Sequence, residues 1–431
     1  MGSAINLAEV GVKLTAEEAR FHKETVADLL ASKSVGSFPG AQPVSFCRHH
    51  FAALEQVDYF MCEKTDGIRC LLFCTVLVTP HAPPRELYIL IDRKNDYYAV
   101  PEGYLHFPPP GDDIAAFHTG TILDGELVRD TLPDGSSRLK YLIFDCLALD
   151  GRRITDRTLD VRLGKVKGFF YEPYRRFARQ WPDEIRVAKF EAELKNMEFP
   201  YANAMMFRDR IPRLPHGNDG LIFTCRATPY VTGTDPHILK WKPPLENTID
   251  FRLDIDHFPT ACDAEGEYED WDAKPEIHLK VNYGNNDYRF FAVLSLTDAE
   301  WETIKSMNQQ IDGRIIECYR TPSPPQWRPK LEKDGTPRFR DDKREANHIS
   351  TVTSVLESIE DAVTEEELIA HDAKIKAAYK ERQEKERQKR KAQQQQQQKQ
   401  QQQPQQKRPT PASAPVALNA DTEDDGPRYE D

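Results

Sequence analysis

The sequence predicts an α+β protein in which an antiparallel-sheet domain is followed by a C-terminal β-barrel domain of the OB-fold type. Short runs of valine, isoleucine, leucine, phenylalanine and tyrosine alternate with turn residues along most of the chain, as in antiparallel sheets. Two consecutive prolines, Pro243 and Pro244, interrupt these runs and suit a connection between domains. With 431 residues and 39% hydrophobic residues, the chain can form two modest cores.

The N-terminal part is expected to begin with a helix and to continue as a sheet. Val26, Leu29 and Leu30 recur at helical spacing, and a stretch rich in Gly, Pro and Ser follows at 34–45. Strand-like runs then lie at 59–78, 86–91, 120–128 and 138–149. A further helix is expected around residues 159–171. This order predicts a mostly antiparallel sheet with interspersed helices.

The part of the chain after the two prolines contains four shorter apolar runs. These runs lie at 248–254, 276–282, 288–296 and 314–319. One short helix is expected at 298–307. Several strands with one helix in about 100 residues fit a small barrel such as an OB-fold.

We therefore expect three regions. The antiparallel-sheet domain would span residues 1–243 and the OB-fold domain residues 244–347. A helix at about 348–372 would join the first domain, since apolar residues recur there at helical spacing. The basic, glutamine-rich segment 373–431 is expected to be disordered because it cannot bury a core.

Composition excludes several classes of protein. No run of 18 apolar residues exists and the N-terminus has no signal-peptide core, so we expect neither membrane insertion nor secretion. The eight cysteines form no C-x-x-C pair, which predicts reduced thiols in the nucleus or cytosol with no zinc site among them.

Charge is unevenly distributed along the chain. The net charge is −12, but the segment 374–408 holds twelve basic and three acidic residues, so the remainder is strongly acidic. An acidic body argues against binding of nucleic acid through bulk charge. Any phosphate chemistry would therefore need a few cations that converge in one cleft.

The segment 63–69, with sequence EKTDGIR, carries the strongest chemical signal. Lys64 lies between apolar residues of a strand, where a lysine is costly to bury unless it is paired or functional. Taken alone, this lysine before an Asp-Gly turn could also be an ordinary turn residue.

Other charged residues downstream complete a coherent site. Lys240 and Lys242 alternate along a strand, so both side chains point to one face and can bind an anion such as phosphate. Glu126, within an Asp-Gly-Glu sequence, and Asp219 offer hard oxygen ligands for Mg²⁺ or Mn²⁺, which nucleotide phosphates also require. Together with Lys64 they predict a nucleotidyl-transfer site.

These motifs and their order resemble the covalent nucleotidyltransferase superfamily and, within it, the mRNA capping enzymes of the fungal RNA guanylyltransferase type. The resemblance covers roughly residues 20–365. The blocks that carry it are 38–46 (FPGAQPVSF), 63–69, 91–94, 219–225, 228–250 (TPYVTGTDPHILKWKPPLENTID) and 338–343. It implies that domain 1–243 is a nucleotidyltransferase domain.

The resemblance also implies the reaction and its central residues. Lys64 would attack the α-phosphate of GTP, release pyrophosphate and carry GMP as a lysyl-N-GMP phosphoramidate. The 5′-diphosphate end of nascent RNA would then accept GMP to form GpppN. Glu126 and Asp219 would be catalytic residues and metal ligands, while Lys240 and Lys242 would contact the α-phosphate.

Further residues would bind the nucleotide. The resemblance places Arg69 and Arg93 at the ribose. It places Phe144 on the guanine ring and Lys195 at the guanine edge. The β- and γ-phosphates would be bound by Arg340, Asp342 and Lys343. It further implies an RNA 5′-triphosphatase subunit and the phosphorylated C-terminal domain of RNA polymerase II as partners, and nuclear localisation. No His-Cys-x5-Arg phosphatase signature occurs in the chain.

Two rival functions remain open at the sequence level. An ATP-dependent polynucleotide ligase would share the lysine, the Asp-Gly-Glu and the Lys-x-Lys motifs, and a preference for GTP or ATP would decide between them. A catalytically silent scaffold would need none of these residues. The basic segment 374–391 is either a nuclear-localisation or RNA-tethering segment or a solvated helix that leads into a linker.

Overall fold

The computed structural model describes residues 5–263, 266–332, 334–341 and 343–401. Within these residues the chain forms two compact units. The first unit comprises the described residues of Met1–Val44, Phe51–Leu239 and Ile369–Asp431, and the second comprises those of Ser45–His50 and Lys240–Leu368.

Strands make up most of both units. In chain order they are Val12–Lys13 (β1), Ala41–Ser45 (β2), Tyr59–Thr65 (β3), Ile68–Leu77 (β4), Arg85–Asp92 (β5), Tyr97–Ala99 (β6), Thr121–Thr131 (β7), Ser137–Leu149 (β8), Arg152–Arg153 (β9), Glu191–Leu194 (β10), Asn218–Cys225 (β11), Gly233–Trp241 (β12), Thr248–Asp254 (β13), Thr260–Asp263 (β14), Gly266–Glu269 (β15), His278–Asn282 (β16), Tyr288–Val293 (β17), Ile315–Arg320 (β18) and Trp327–Pro329 (β19).

Helices connect or cover these strands. The α-helices are Ala16–Leu29 (α1), His50–Gln56 (α2), Leu159–Lys165 (α3), Glu172–Gln180 (α4), Pro182–Val187 (α5), Asn203–Met205 (α6), Asp298–Ser306 (α7), Ile349–Glu360 (α8) and Glu365–Gln401 (α9). Short 3₁₀ turns lie at Leu7–Glu9, Ile211–Arg213 and Pro244–Glu246, and π-helical turns at Val166–Tyr171 and Met206–Arg210.

The first unit is built on a large sheet in the order β1-β6-β5-β4-β7-β8-β10, with β9 paired to β8. Its strands are antiparallel except for the parallel pair β8 and β10. Alternate residues of β4 enter different cores, because strand side chains point to opposite faces. Leu72 packs in the core that contains α3, whereas Leu71 and Phe73 pack in the core that contains α1.

A smaller sheet in the order β2-β12-β11-β3 carries the segment singled out by the sequence. Strand β3 leads directly into β4 of the large sheet, so the two sheets meet at the turn between these strands. The strand-like run predicted at 59–78 is therefore two strands, and their junction at Asp66 and Gly67 lies next to Lys64.

The second unit contains an antiparallel five-stranded sheet in the order β17-β16-β13-β18-β19. A β-bridge between Leu294 and Trp327 joins the residue after β17 to the start of β19, so the two edges of the sheet meet and form a barrel. Helix α7 contributes Trp301 and Ile304 to its core. The predicted fold class, an antiparallel α+β domain followed by an OB-fold barrel, is confirmed.

The C-terminal region differs from the sequence-based expectation. Residues 348–372, for which one helix is predicted, contain the whole of α8 and the start of α9. Helix α8 places Val352 in the core of the second unit, and α9 begins at Glu365. Thr364 and Glu367 form a reciprocal capping pair that starts α9, with Glu367 N–Thr364 Oγ1 at 3.2 Å.

The segment 373–401 is helical, although its composition predicts disorder. Alanine, lysine, glutamate and glutamine favour helix, and the helix is held on the first unit by side chains of its first half. Arg382 Nε donates to Asp58 Oδ1 at 2.9 Å, and the Tyr379 ring lies 4.7 Å from that of Phe199. The rest of the predicted tail, 402–431, lies outside the described residues.

Across the described part of the chain, none of the helices is both long and apolar enough to cross a membrane. All eight cysteines are free thiols, as the sequence predicts, and most are buried.

Candidate active site

The turn between β3 and β4 fixes the position of Lys64. Asp66 N donates to Gly217 O at 2.9 Å, which ties the turn to the start of β11. A Cβ at Gly67 would lie 2.5 Å from Leu127 O, so only glycine fits against the neighbouring strand. The glycine of the motif is thus required by close packing at this turn.

Asp219 is brought opposite Lys64 by a bulge in β11. The register with β3 shifts between Asn218, opposite Thr65, and Leu221. Asn218 Nδ2 stabilises the bulge by donating to Lys64 O at 3.0 Å. As a result Lys64 Nζ lies 2.6 Å from Asp219 Oδ1, with each side chain about a quarter exposed.

A second group of polar side chains adjoins this pair. The Thr65 hydroxyl donates to Glu126 Oε2, and Lys195 Nζ donates to Thr65 Oγ1 at 3.0 Å. Lys195 is only 4% exposed, and its ammonium also lies 3.7 Å from Glu63 Oε1. Sequence reasoning missed Thr65, which connects Glu126 with Lys195, although its place beside Lys64 was a usable signal.

Arg69 is held rigidly by a buried carboxylate. Its Nε and Nη2 donate to the two oxygens of Asp124 at 3.0 and 2.7 Å, and Asp124 is fully buried. Burial lowers the pKa of Arg69, but the charge of Asp124 outweighs this and places the pKa above its ordinary value. The guanidinium carbon lies 5.7 Å from the Phe38 ring centre and 5.5 Å from that of Phe144.

Tyr230 completes the support of Arg69 and was not predicted as a site residue. Its hydroxyl donates to Asp124 Oδ2 at 2.5 Å and accepts from Ala41 N at 2.8 Å, while Ala41 O accepts from Arg69 Nη1. Burial, with the charge of Asp124, raises the pKa of Tyr230 well above its ordinary value, so the hydroxyl keeps its proton. Arg69, Asp124, Tyr230 and Ala41 thus form a closed hydrogen-bonded ring.

Arg93 adds a second cation near Arg69. Its Nη2 donates to Gln42 Oε1 at 3.1 Å. Desolvation, and then the positive charge of Arg69, lower the pKa of Arg93. Repulsion between two guanidinium groups is relieved by an anion, so this corner of the site suits an anionic ligand.

Phe144 owes its orientation to a bulge in β8. Asp145 pairs with Asp124 and Ile143 pairs with Gly125, so Phe144 is the extra residue between them. The next residue is anchored, since Asp145 accepts from Arg162 Nε and Nη2 at 2.6 and 2.7 Å. The bulge and this anchor place the half-buried Phe144 ring beside Arg69.

The structure therefore brings seven of the predicted residues together in the first unit: Lys64, Arg69, Arg93, Glu126, Phe144, Lys195 and Asp219. Glu126 and Asp219 contact the adjacent residues Thr65 and Lys64, respectively. Two carboxylates beside Lys64 match the hard oxygen donors that Mg²⁺ and Mn²⁺ prefer, so this donor set fits such an ion.

The remaining predicted residues belong to the second unit. Lys240, near the end of β12, and Lys242 alternate with buried Leu239 and Trp241, so the two lysines share one face. Lys343 Nζ pairs with Asp250 Oδ2.

In the same unit, Arg340 Nη1 lies 3.4 Å from Asp250 Oδ1 and 3.6 Å from Glu317 Oε2. Asp342 lies outside the described residues.

Comparison with known proteins identifies the family. The family model described as mRNA capping enzyme, catalytic domain, matches residues 6–244, and that described as mRNA capping enzyme, C-terminal domain, matches residues 246–369. The chain belongs to the mRNA capping enzyme family. Both domains of a capping enzyme are thus present, in the order that the sequence predicts.

Relatives extend this match along most of the capping enzyme chain. This chain is 45% identical over 398 residues to the mRNA-capping enzyme subunit alpha of Neurospora crassa, and the match covers 88% of this chain and 95% of that protein. It is 44% identical to the Schizosaccharomyces pombe protein of the same name (86% and 89% covered) and 36% identical to that of Saccharomyces cerevisiae (84% of each). The predicted enzyme class, a guanylyltransferase of mRNA capping, is confirmed.

Proposed function

We propose that this enzyme forms a covalent GMP adduct on Lys64 and transfers the GMP to the 5′-diphosphate end of nascent RNA, yielding GpppN. The observation that carries this proposal is the position of Lys64 Nζ, 2.6 Å from Asp219 Oδ1 in a pair whose side chains are each about a quarter exposed. The amine of Lys64 is therefore accessible to a substrate phosphate, which it would not be in a fully buried ion pair.

In the first half-reaction a bond forms between Lys64 Nζ and the α-phosphorus of GTP while the bond to the leaving pyrophosphate breaks. The amine must lose a proton to attack, and Asp219 Oδ1 is within direct reach of that proton. In the second half-reaction a β-phosphate oxygen of the RNA end attacks the same phosphorus. The phosphoramidate bond breaks, and Lys64 regains a proton as it leaves.

The other site residues position the nucleotide and neutralise charge. Phe144 would stack on the guanine ring, Lys195 would contact its edge, and Arg69 and Arg93 would hold the ribose. Lys240 and Lys242 would bind the α-phosphate. Arg340, Asp342 and Lys343 would bind the β- and γ-phosphates, because phosphoryl-type transfer depends on in-line positioning and charge neutralisation.

Mg²⁺ or Mn²⁺, when bound, would neutralise phosphate charge. Glu126 and Asp219 would hold this ion. Each carboxylate is already oriented by a neighbour, Thr65 for Glu126 and Lys64 for Asp219, so the ligands are positioned before the nucleotide arrives.

The acceptor chemistry implies partners. An RNA end with two phosphates must come from a reaction that removes the γ-phosphate of a 5′-triphosphate, which we assign to a separate RNA 5′-triphosphatase subunit. The relatives are named as alpha subunits, and this supports a second subunit. Capping of nascent transcripts further suggests nuclear localisation and recruitment by the phosphorylated C-terminal domain of RNA polymerase II.

Nucleotide specificity tests the proposal directly. The purified chain is incubated with α-labelled GTP or ATP and Mg²⁺ or Mn²⁺, denatured, and examined for label on the protein. We expect acid-labile, alkali-stable labelling with GTP alone, reversed by pyrophosphate. Labelling by ATP would instead support a polynucleotide ligase, and no labelling with either metal would support a scaffold.

Replacing Tyr230 with phenylalanine is expected to raise KM for GTP in adduct formation about ten- to a hundredfold, since a hydrogen bond to a buried charge contributes about 1.5–3 kcal/mol. The ring is retained, but Asp124 and Ala41 lose their hydroxyl partner, so Arg69 is held less firmly. The measurement is the dependence of the labelling rate on GTP concentration.

Tyr174→Phe is the matched control for this variant. It also removes a buried hydroxyl that accepts from a backbone amide, Ala192 N at 3.2 Å. Among the predicted site residues that the structure describes, this tyrosine contacts none. Its KM for GTP should stay at the wild-type value. Equal KM changes in the two variants would refute a positioning role for Tyr230.

A further inference from the structure

Two groups of metal-ligating side chains lie in the second unit, apart from the residues assigned to the nucleotide. One consists of Cys47, His49 and His50, the other of Asp254, Asp256 and His278. In the first group His50 Nδ1 already accepts the Cys47 N–H at 2.8 Å. A metal-bound histidine instead donates its second ring nitrogen to a carboxylate or carbonyl oxygen.

The second group has this arrangement. Glu276 Oε1 lies 3.0 Å from His278 Nε2, so the carboxylate fixes a proton on Nε2 and directs the Nδ1 lone pair to the other side. Two carboxylates lie on that side. Nδ1 of His278 is 3.9 Å from Asp254 Oδ2 and 3.8 Å from Asp256 Oδ2. Both distances are too long for hydrogen bonds.

Those distances are close to what a shared metal ion requires. Zinc binds nitrogen and oxygen at about 2.0–2.2 Å, so two of its ligands are about 3.4 Å apart at the tetrahedral angle. His278 Nδ1 would need to approach each carboxylate oxygen by about half an ångström, and the three ligand atoms already lie within 4.8 Å of one another. Asp256 is exposed, and Asp254 and His278 are half-buried, so these side chains can move that far without disturbing the core.

Strand pairing explains why these side chains converge. Asp254 and His278 are directly opposite each other in the antiparallel pair of β13 and β16, so they project from the same face. Asp256 and Glu276 each lie two residues beyond this pair, in the segments that follow β13 and precede β16. The cluster therefore gathers a D-x-D and an E-x-H sequence at the adjoining ends of two paired strands.

The charges of the cluster also match a divalent cation. Asp254, Asp256 and Glu276 carry three negative charges, and Lys280 offsets one of them through its contact of 2.6 Å with Asp254 Oδ2. With His278 neutral, two negative charges remain. The Phe290 ring, edge-on to His278 with centres 5.0 Å apart, bounds another side of the imidazole.

We propose that Asp254, Asp256 and His278 bind a borderline divalent transition-metal ion, Zn²⁺ being the best match, with Glu276 orienting the histidine. One imidazole nitrogen with carboxylate oxygens favours Zn²⁺ over Mg²⁺, which prefers oxygen alone. The ion would pin the end of β13 to β16, where the chain leaves the barrel for the β14–β15 hairpin. It would stabilise the barrel independently of GTP chemistry.

Zinc binding by the full-length chain tests this site. Titration with Zn²⁺ in excess Mg²⁺ should show one saturable site and a rise in melting temperature. Both should be lost in His278→Gln and in Asp256→Asn and retained in Cys47→Ser. Labelling by GTP serves as the folding control for each variant, and Asp256, being exposed, can be replaced without loss of packing.

Cobalt distinguishes the two clusters spectroscopically. Co²⁺ at the proposed site should give d–d absorption without a thiolate-to-cobalt charge-transfer band. A charge-transfer band that disappears in Cys47→Ser would place the metal at Cys47, His49 and His50 and overturn the proposal. Absence of saturable Zn²⁺ binding would mean that His278 is simply an ion-pair partner of the carboxylates, and would also overturn it.

Discussion

Lys64→Ala is expected to abolish the covalent GMP adduct and leave the fold intact. No neighbouring group can replace the amine, because the phosphoramidate forms on its nitrogen. The side chain is about a quarter exposed and pairs with an equally exposed Asp219, so its removal should change stability little. Labelling with GTP after denaturation measures the first effect, and the thermal unfolding midpoint measures the second.

Lys343→Ala provides the comparison for Lys64→Ala. Both variants remove one lysine that pairs with an aspartate, Asp250 in the case of Lys343. If Lys343 binds the leaving phosphates, this variant should slow adduct formation from GTP but transfer GMP to RNA normally from a preformed adduct. A labelled adduct in Lys64→Ala would rule out Lys64 as the nucleophile, and loss of the transfer step in Lys343→Ala would rule out the phosphate role.

Much of this site could be predicted from sequence because its central residues lie in short local patterns. Lys64 stands next to an Asp-Gly turn, and the glycine is required by a strand that passes 2.5 Å from where its Cβ would be. Local turn chemistry of this kind is visible in a few consecutive letters. The same applies to the alternation of Lys240 and Lys242 with buried neighbours.

The supporting residues could not be predicted in the same way. Tyr230 and Asp124 are 106 positions apart and look like ordinary strand and loop residues, and only the fold shows that they share a hydrogen bond. The bulge at Phe144 is a mismatch in residue count between two strands, which alternation along one strand does not reveal. For segment 374–391 of helix α9 a solvated helix was one of two alternatives, but composition could not reveal the contacts of Arg382 and Tyr379 that hold the helix on the first unit.

The largest stability effect is expected from Asp145→Ala. Arg162 is 2% exposed and pairs with Asp145 through two hydrogen bonds, so the variant leaves a buried guanidinium without its counter-charge. Loss of one partner from a buried pair costs about 3–5 kcal/mol. We expect the urea midpoint of the transition that reports on the first unit to fall accordingly.

A double variant separates this charge effect from simple loss of packing. Removing both charges with apolar residues of similar size, Asp145→Leu with Arg162→Met, should recover most of the lost stability, because no unpaired charge remains in the core. The double variant should still raise KM for GTP, since Asp145 anchors the strand directly after the Phe144 bulge. If Asp145→Ala and the double variant were equally unstable, the loss would come from packing at this position and not from the unpaired arginine.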